Sequence, residues 1–567
     1  MEEVQDTSLR QRVSSHSKGE CSSSQHSDAS DSSAEDRQLQ ENEFSGLSPP
    51  ETCRYDSSNF SAANKLGAIS KEARMAFEQL HEKFSLEYRS LLESAVNSAA
   101  RVQNGFDTSV PDRVNFSFTS SKSQERVTKK RFTTRDSVLT ELLKINHIRT
   151  VYNIFAAILI IFSVQTVVYD FLEEGRIKID FGLISWGFGK FSLVISIWLF
   201  MMTSTTSLYP LFNIWIQSRH RSRKWVDRGF FLLYVLYQAG FLVLPVYTLA
   251  EYDLPPISTL VVVIEQVRMI MKAHSFIREN VARELSSKDE VTKGLDFSRY
   301  LYFLFAPTLI YRDEYPRTLE INWTSVVFDV FQLVICIFYT YYIFMRFCIP
   351  NFHNFNRDHV TVKSFVVSMF GCMMPGTLVL LIGFFAILHC WLNAWAEMLT
   401  FGDRLFYKDW WNCTNFSGYY RNWNVVVHDW LFSYVYQDVY MLLGFRRHLR
   451  WLAMYSTFFL SAAFHEYILV VALRFFYPVL FVLFAIVGVG FMYVTSGVHE
   501  RSSNIFMWVM LFAGNGVLMC LYSVEYFSRK NCPPVIEDSF VDYLIPRSLF
   551  CEANASSLAA TGNFSMG

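Results

Sequence analysis

Apolar runs that are long enough to cross a bilayer recur along the chain from about residue 150. A transmembrane helix needs about 20 predominantly apolar residues, because the hydrocarbon core of a bilayer is about 30 Å thick. Since no water reaches that core, each run must satisfy its own backbone hydrogen bonds by forming a helix. The sequence therefore predicts an all-α, polytopic membrane protein with about nine spans, at residues 151–169, 189–209, 229–249, 257–276, 324–347, 364–392, 451–472, 477–497 and 504–523.

The fourth predicted span is the weakest, because it carries Glu265, Arg268 and Lys272. The charges of the loops nevertheless favour nine spans with a cytosolic N-terminus and a luminal C-terminus. Lys and Arg accumulate in cytosolic loops, and this topology places the basic segment 217–228 and the loop 396–448 in the cytosol. Glu265 and Arg268 are three residues apart on one helix, so we expect an ion pair that lowers the cost of burying them.

The chain before the first span is polar and divides into two parts. Residues 1–60 are rich in Ser, Asp, Glu and Gln, which predicts a disordered cytosolic tail without a cleaved signal peptide. Apolar residues recur every three or four positions over 64–97, which predicts a helix of about nine turns. That helix either forms a homo-oligomer or lies on the membrane surface or on the protein's own domain. We therefore predict a disordered tail, an oligomerisation helix with its linker, a membrane-embedded domain and a luminal tail, at residues 1–60, 61–140, 141–530 and 531–567.

The composition agrees with a membrane protein. Hydrophobic residues make up 51% of the chain and charged residues 18%, against about 25% charged residues in an average soluble chain. A net charge of −1 gives no sign of a nucleic-acid partner. The ten cysteines show no metal-ligand spacing, so no metal site is expected. Cys532 and Cys551 lie in the predicted luminal tail, where an oxidising compartment allows them either to pair or to remain free thiols.

An ionisable residue within a predicted span is the first candidate for chemistry. His465 lies in the otherwise apolar run 451–473, and Glu466 follows it directly. Ionisable groups at such a depth are costly, so they either mark a functional site or are bonded to a neighbouring helix. The residues after His465 lack the second histidine of the zinc-protease pattern H-E-x-x-H, and the chain contains no G-x-S-x-G elbow. These patterns give no support to a zinc protease or a serine hydrolase.

The second candidate region is the loop 402–430, which combines many aromatic residues with Asp, Arg, His and Asn. An aromatic belt at the membrane interface explains the rings but not the hydrogen-bonding groups that accompany them. Asn424 and His428 are four residues apart, so a helix presents both on one face. The apolar stretch 425–443 also contains charged residues, and we interpret it as interfacial.

Three segments of the chain together resemble one known family. FYKDWWN at 406–412 is similar to the signature motif of the sterol O-acyltransferases, within the membrane-bound O-acyltransferase superfamily. RNWNVVVHDW at 421–430 and SAAFHEY at 461–467 follow it in the order and spacing of that family. The polar N-terminus and the nine spans are also similar, so the likeness covers the chain beyond about residue 60. The resemblance implies the fold of that superfamily and transfer of a fatty acyl group from acyl-CoA to the hydroxyl of cholesterol or a related sterol.

The resemblance also implies roles for individual residues. His465 is then the catalytic histidine that accepts the hydroxyl proton, and Asn424 is its partner at the thioester carbonyl. No cofactor is implied, because acyl-CoA is a co-substrate. The residues that resemble the acyl-CoA surface are Tyr420, Arg421, Tyr436, Arg450 and Ser461. The motif itself contributes Phe406, Tyr407, Asp409, Trp410, Trp411 and Asn412.

Several assignments stay open at this point. His389, near the end of the sixth span, is either an accessory group of the sterol tunnel or a satisfied core histidine, and His428 is a further accessory candidate. Arg446 and Arg447 either bind CoA phosphates or anchor the cytosolic side of the membrane. The family further implies a location in the endoplasmic reticulum membrane and a homo-oligomer, either a dimer or a tetramer.

Two other functions compete with sterol acylation. A diacylglycerol O-acyltransferase has a similar aromatic motif and the same histidine, and NVVVHDW at 424–430 is closer to the sterol branch. A sterol transporter or sensor without catalysis would distribute its polar groups across several spans. Here they converge on one span and one adjoining loop, and no internal repeat is visible, which favours an enzyme.

Overall fold

The computed structural model describes residues 130–175, 182–219, 223–286, 296–353, 362–497, 502–534, 536 and 541–550. The chain separates into two compact units, 1–122 and 123–567, and every described residue belongs to the second unit. The predicted tail and the predicted oligomerisation helix at 64–97 lie outside the described residues.

Helices build the described part of the chain, which confirms the all-α prediction. The first group is α1 (Val138–Leu142), α2 (Asn146–Glu174), α3 (Gly182–Gly187), α4 (Phe191–Thr206), α5 (Leu208–Arg219), α6 (Arg223–Glu251), α7 (Pro256–Ser286) and α8 (Phe297–Phe305). The second group is α9 (Trp323–Ile343), α10 (Ile349–Phe352), α11 (Val362–Gly371), α12 (Met373–Gly383) and α13 (Leu392–Met398). The third group is α14 (Phe416–Trp423), α15 (Val425–Trp430), α16 (Gln437–Leu442), α17 (Arg450–Leu473), α18 (Val479–Val482), α19 (Val489–Val494), α20 (Ser503–Asn531) and α21 (Val541–Leu544).

Seven of the predicted spans coincide with helices that are long and apolar enough to cross a membrane. They are Asn146–Glu173, Ile184–Arg219, Lys224–Glu251, Trp323–Phe352, Val362–Met398, Arg447–Leu473 and Ser503–Asn531. The fourth and eighth predicted spans are helical as well. The fourth is α7, with 31 residues and several charges, and the eighth is the shorter apolar stretch Val479–Val494.

The direction of α9 relative to α2 indicates that α7 also crosses the membrane. Side-chain hydrogen bonds and an ion pair join the two helices, and the residue numbers of both partners increase together from one pair to the next. The helices are therefore parallel. The pairs are Tyr152 with Gln332, Ser163 with Tyr339, Thr166 with Tyr342 and, on the π turn that continues α9, Asp170 with Arg346. Parallel helices require an odd number of crossings between them. The helix of residues 184–219 and α6 supply an even number, so α7 supplies the remaining one.

The same reasoning applies to the stretch Val479–Val494. Tyr522 of α20 donates to Glu466 of α17 at 3.0 Å, and Arg529 further along α20 lies over the ring of Phe475. These contacts, together with the one between the rings of Phe475 and Tyr522 at 6.4 Å, bring the C-terminal parts of α17 and α20 together. The two helices therefore end on the same side, and the stretch between them must cross the membrane once. Nine crossings follow for the described part of the chain, in agreement with the sequence prediction.

The charged side chains of α7 are satisfied inside the protein. Arg268 forms the expected ion pair with Glu265, with 2.7 Å between Nε and Oε1. Lys272 is 1% exposed, and its Nζ donates to the backbone carbonyls of Phe303 and Ala306 at 2.5 and 2.7 Å. These carbonyls lie at the C-terminal end of α8, where a cation is favoured by the helix dipole. The charges therefore fix the α8 segment against α7.

Four helices of the described region contain a π-helical turn, a geometry that is frequent at functional sites. The turns are Phe344–Cys348, Phe384–Trp391, Leu431–Tyr436 and Leu483–Gly488. Three of them carry or contact the candidate residues from the sequence. The π turns thus mark the part of the membrane domain in which the site lies.

Candidate active site

His465 lies near the middle of α17 and has an unusual environment. Its side chain is exposed, and one face of the imidazole is covered by a neighbouring aromatic ring. Nδ1 of the ring lies 2.7 Å from the backbone carbonyl oxygen of Ser461, one helical turn earlier.

This hydrogen bond determines which nitrogen carries the proton. A carbonyl oxygen can only accept, so Nδ1 of His465 must donate. In the neutral ring Nε2 is then unprotonated and has a lone pair. Because the bond is made by the helix itself, this tautomer is built into α17.

Aromatic rings from two other segments surround His465. The ring of Phe484, on the π turn after α18, stacks on the imidazole with 5.3 Å between centroids. Tyr420 of α14 lies edge-on to Phe484 at 5.0 Å and to Phe458 of α17 at 5.3 Å. The ring of Phe484 thus lies between His465 and Tyr420, and it connects the histidine to the loop region that contains the motif.

The hydroxyl of Tyr420 lies against Gly488, on the same π turn as Phe484. A Cβ atom at Gly488 would lie 2.1 Å from that oxygen, so no other residue fits there without displacing Tyr420. Burial raises the pKa of Tyr420 to about 12. The hydroxyl therefore stays protonated at neutral pH and can donate a hydrogen bond.

Glu466 points away from the accessible side and anchors α17. It is 4% exposed, and it accepts hydrogen bonds from the backbone N–H of Phe481 and the hydroxyl of Tyr522, both at 3.0 Å. Phe481 lies in the first turn of α18, where the helix dipole favours an anion. Glu466 therefore fixes the position of α17 against α18 and α20.

The aromatic residues of the motif at 406–412 are mostly buried, whereas its polar members are not. Phe406, Tyr407 and Trp410 are at most 1% exposed, and Asp409 and Asn412 are exposed. The rings around Trp410 lie within 6 Å of it, as centroid distances, and they are Phe384, Trp411, Tyr419, Trp423 and Trp508. The motif is therefore an aromatic core that shapes the loop.

The backbone of the motif holds Asn424 in place. The N–H of Lys408 donates to the carbonyl of Asn422 at 2.8 Å, and the N–H of Val425 donates to the carbonyl of Phe406 at 2.9 Å. These two bonds bracket Asn424, which is the junction between α14 and α15. From the other side, Asn504 of α20 donates to the carbonyls of Trp411 and Cys413 at 2.9 and 2.8 Å.

The side chain of Asn424 caps α15. Its Oδ1 accepts from the backbone N–H of Val427 at 3.1 Å, as an N-cap asparagine typically does. The amide Nδ2 is thereby the end that points away from the helix. His428 follows one turn later on α15, as expected, with Nδ1 lying 3.3 Å from Asp429. No hydrogen bond among the described residues joins Asn424 to His465.

His389 belongs to a separate cluster. Its Nδ1 lies 2.8 Å from the hydroxyl of Tyr407 and 3.1 Å from Nδ2 of Asn393. Ser137 Oγ lies 3.4 Å from the same nitrogen. Nδ2 of Asn393 also donates to the backbone carbonyl of His389 at 2.8 Å, so the ring lies among several polar partners inside the protein. This arrangement favours the interpretation as a satisfied core histidine.

The residues that resemble an acyl-CoA surface form an inner and an outer group. Tyr420 and Ser461 belong to the surroundings of His465, whereas Tyr436 and Arg450 are joined by a hydrogen bond of 2.9 Å from Nε to the phenol oxygen. Arg421 is exposed on α14. In the outer group the rings stack four residues apart along α15, the following π turn and α16, and they are His428, Phe432, Tyr436 and Tyr440.

Arg446 and Arg447 are exposed, as is Arg450 of the outer group. The described residues contain no cluster of three or more His, Cys, Asp or Glu side chains that could hold a metal ion. Cys532 follows the end of α20, and Cys551 lies outside the described residues. The disulfide between them therefore stays a prediction.

Phe484, Gly488, Tyr522 and Asn504 are site residues that the sequence reasoning missed. Phe484 and Gly488 lie in an apolar span without any motif, so nothing local distinguishes them from lipid-facing residues. Asn504 and Tyr522 are polar residues of the last span, and their polarity was the available signal. Each acts on a residue that is distant in sequence, and only the packing of the helices reveals the contact.

Comparison with known proteins gives the family. The family described as MBOAT, membrane-bound O-acyltransferase, matches residues 199–524. Sterol O-acyltransferase 1 of Chlorocebus aethiops is 46% identical over 428 residues, 74% of this chain and 77% of that protein. Sterol O-acyltransferase 1 of Mus musculus is 46% identical over 431 residues, 74% of this chain and 79% of that protein.

Sterol O-acyltransferase 2 of Homo sapiens is 41% identical over 481 residues, 83% of this chain and 90% of that protein. The aromatic loop and His465 both fall within the family match of residues 199–524. The chain therefore belongs to the membrane-bound O-acyltransferase family, as an acyltransferase of its sterol O-acyltransferase branch.

Proposed function

We propose that the chain transfers a long-chain fatty acyl group from acyl-CoA to the hydroxyl of cholesterol or a related sterol, giving a sterol ester and CoA. The observation that carries the proposal is the ring of His465, which lies within the apolar helix α17, is exposed, and has its proton on Nδ1. The names of the relatives supply the acceptor class.

His465 acts as the general base in this reaction. Nε2 accepts the proton of the sterol hydroxyl as its oxygen attacks the thioester carbonyl carbon. The ring becomes cationic at that moment, and the carbonyl of Ser461 stabilises the charge at Nδ1. The C–S bond then breaks, and the proton on Nε2 passes to the leaving thiolate of CoA. The acyl group moves directly, without an acyl-enzyme.

Asn424 assists at the carbonyl of the thioester. Its Oδ1 is occupied by the N–H of Val427, so the amide is held with Nδ2 as the outward donor. A donor that is fixed before the reaction stabilises an oxyanion without reorganisation. The backbone hydrogen bonds of Phe406 and Lys408, on either side of Asn424, hold the amide in this position.

The outer group of residues binds the CoA portion. CoA carries several phosphates, and Arg450, Arg446 and Arg447 are exposed cations beside a row of stacked rings. The rings of Phe432 and Tyr436 offer flat surfaces for the adenine base. This arrangement puts the polyanion at the aqueous side and the acyl chain toward His465.

The protein is a multi-pass membrane protein. We propose that it lies in the endoplasmic reticulum with a cytosolic N-terminus and a luminal C-terminus. This orientation puts the arginines of residues 446–450 in the cytosol, where acyl-CoA is found. A homo-oligomer formed through the N-terminal helix and a disulfide between Cys532 and Cys551 are further proposals from the sequence.

The acceptor and the role of Asn424 can be tested in one assay. Membranes containing the full chain receive labelled oleoyl-CoA with either cholesterol or diacylglycerol. We expect sterol ester from the wild type, and a loss of about 10²- to 10³-fold for Asn424→Ala, the range observed when one oxyanion donor is removed. Asn424→Asp is the matched variant, because Asp caps a helix as well as Asn does but has no amide donor.

Asn424→Asp should therefore keep the thermal stability of the wild type and lose as much turnover as Asn424→Ala. Full activity of Asn424→Asp would remove the amide from the mechanism. Triacylglycerol as the only product of the wild type would move the chain to the diacylglycerol branch. No transfer to either lipid would contradict the enzyme assignment.

A further inference from the structure

Residues 130–137, which we call the strap, precede α1 and lie outside the family match of 199–524. The domain prediction assigns them to the linker of the N-terminal region. In the structure they pack on the acyltransferase domain, and they contact both ends of the segment 400–429. The middle of that segment contains the motif and Asn424.

The first contact joins the strap to the chain just before the motif. The N–H of Arg135 donates to the carbonyl of Gly402 at 2.9 Å, and the N–H of Arg404 donates to the carbonyl of Arg135 at 3.1 Å. The guanidinium of Arg135 also forms two hydrogen bonds with Asp403, at 2.7 and 3.2 Å. Asp403 is 4% exposed, so its carboxylate depends on this partner.

The second contact joins the strap to α15. Nζ of Lys130 lies 2.6 Å from Oδ2 of Asp429, five positions after Asn424. Burial raises the pKa of Asp429, but the hydrogen bond with His428 and the charge of Lys130 outweigh it and leave the pKa below its usual range. The carboxylate therefore stays ionised and pairs with Lys130 at neutral pH.

Between the two ion pairs, an aromatic side chain of the strap packs against the domain. The ring of Phe132 lies edge-on to Tyr315 and Phe401, at centroid distances of 5.2 and 6.3 Å. At the end of the strap, Ser137 is 1% exposed and accepts from Asn393 of α13 at 3.2 Å. The strap thus contacts the domain at several points along its length, and exposed residues lie between these contacts.

We propose that Lys130 and Arg135 are positioning residues for the acyl transfer. Two routes lead from the strap to Asn424. One passes from the backbone of Arg135 through Arg404, whose carbonyl accepts from the N–H of Phe406 at 2.9 Å, to the carbonyl of Phe406, which bonds the residue after Asn424. The other passes from Lys130 through Asp429 and along α15 to its N-cap. The inference rests on the proposed role of Asn424 in the reaction.

A charge exchange tests the proposal in the full-length chain. The variants are Lys130→Glu, Asp429→Lys and the double variant, assayed in membranes for kcat and for the KM of oleoyl-CoA. We expect each single variant to lower kcat about tenfold, because small displacements of a catalytic group are costly. The KM of Lys130→Glu should stay within about twofold of the wild type, since Lys130 contacts Asp429 and Phe132 rather than the stacked rings of the outer group. Asp429 itself contacts His428 of that group, so the KM criterion applies to Lys130→Glu. The double variant should recover most of the lost kcat.

Lys144→Gln is the matched control. Lys144 pairs with Asp136 on the surface at 2.9 Å, with side chains 64% and 46% exposed, and it does not touch the segment 400–429. Its loss should leave kcat unchanged. If Lys130→Glu fails to accumulate as folded protein, Arg135→Lys replaces it, because Lys keeps the charge but cannot form both hydrogen bonds to Asp403.

Single variants with wild-type kcat, or a double variant no better than the single ones at equal thermal stability, would overturn the proposal. The kcat of each variant is compared with the kcat of the wild type, and both are measured with the lipid that the wild type esterifies. If the proposed acceptor is wrong, the product formed by the wild type shows it. If the strap has no role, the ratios of variant to wild-type kcat show it, whichever lipid is the acceptor.

Discussion

The same ring nitrogen has different partners in His465 and His389. Nδ1 of His465 donates to a backbone carbonyl, whereas Nδ1 of His389 lies among the hydroxyls of Tyr407 and Ser137 and the amide of Asn393. The first arrangement leaves a basic lone pair on Nε2 of an exposed ring, and the second surrounds a buried ring with polar side chains. The hydrogen bonds thus separate the base from the structural histidine, although both lie within predicted spans.

A second test at this scale concerns Gly488. Gly488→Ala would place a Cβ atom 2.1 Å from the hydroxyl of Tyr420, so the tyrosine must leave the ring of Phe484. We expect a drop in kcat of about tenfold or more, because Phe484 supports the ring of His465. The measurement is sterol-ester formation per amount of folded protein.

Gly490→Ala is the control, since it lies two positions further and a Cβ atom there meets nothing within 4 Å. It should behave like the wild type. Equal activity of the two alanine variants would mean that the position of Tyr420 does not affect catalysis.

The sequence predicts residues at this scale only where a motif or a lone charge marks them. His465 is visible because an imidazole interrupts an apolar run, and Asn424 is visible through the motif. The tautomer of His465 is not predictable, because it depends on how Ser461 and the ring face each other on the helix. Phe484 is not predictable either, because it is one of 53 phenylalanines in the chain and no motif marks it.

At the scale of elements, α7 shows how a helix with internal charges can cross the membrane domain. Arg268 pairs with Glu265, and Lys272 caps the carbonyls at the end of α8. These partners come from the protein, so none of the three charges is left without compensation. Loop charges predict this crossing, but the role of Lys272 depends on α8, which no sequence pattern connects to it.

The crossing of α7 is tested by single cysteines at its two ends. Tyr252 and Leu285 are both 55% exposed, and they lie near the two ends of the helix. In sealed microsomes an impermeant maleimide should label Leu285→Cys, and it should label Tyr252→Cys only after permeabilisation. The wild type gives the background from its native cysteines. Labelling of both positions from the same side would contradict nine crossings.

The strap and the π turns are the elements that the sequence does not predict. An extended segment such as 130–137 has no hydrophobic period, and its charges resemble those of a positive-inside linker. A π turn adds one residue per turn without changing the apolar pattern of its span. Both features are consequences of packing against distant parts of the chain.

At the scale of the whole molecule, the parallel pairs α2 with α9 and α17 with α20 give the number of crossings. The same topology brings distant parts of the chain together around the proposed site. The strap holds the loop, the loop holds Asn424, and α18 to α20 hold α17 with His465. The order of these segments follows from the sequence, and their contacts follow only from the fold.

The most direct measurement is sterol-ester formation by His465→Ala with labelled oleoyl-CoA and cholesterol. We expect turnover to fall by about 10²- to 10⁴-fold, the usual contribution of a general base. Thermal stability should stay near that of the wild type, because the exposed ring makes one local hydrogen bond. A folded His465→Ala protein that forms sterol ester at the wild-type rate would contradict the assignment of His465 as the base.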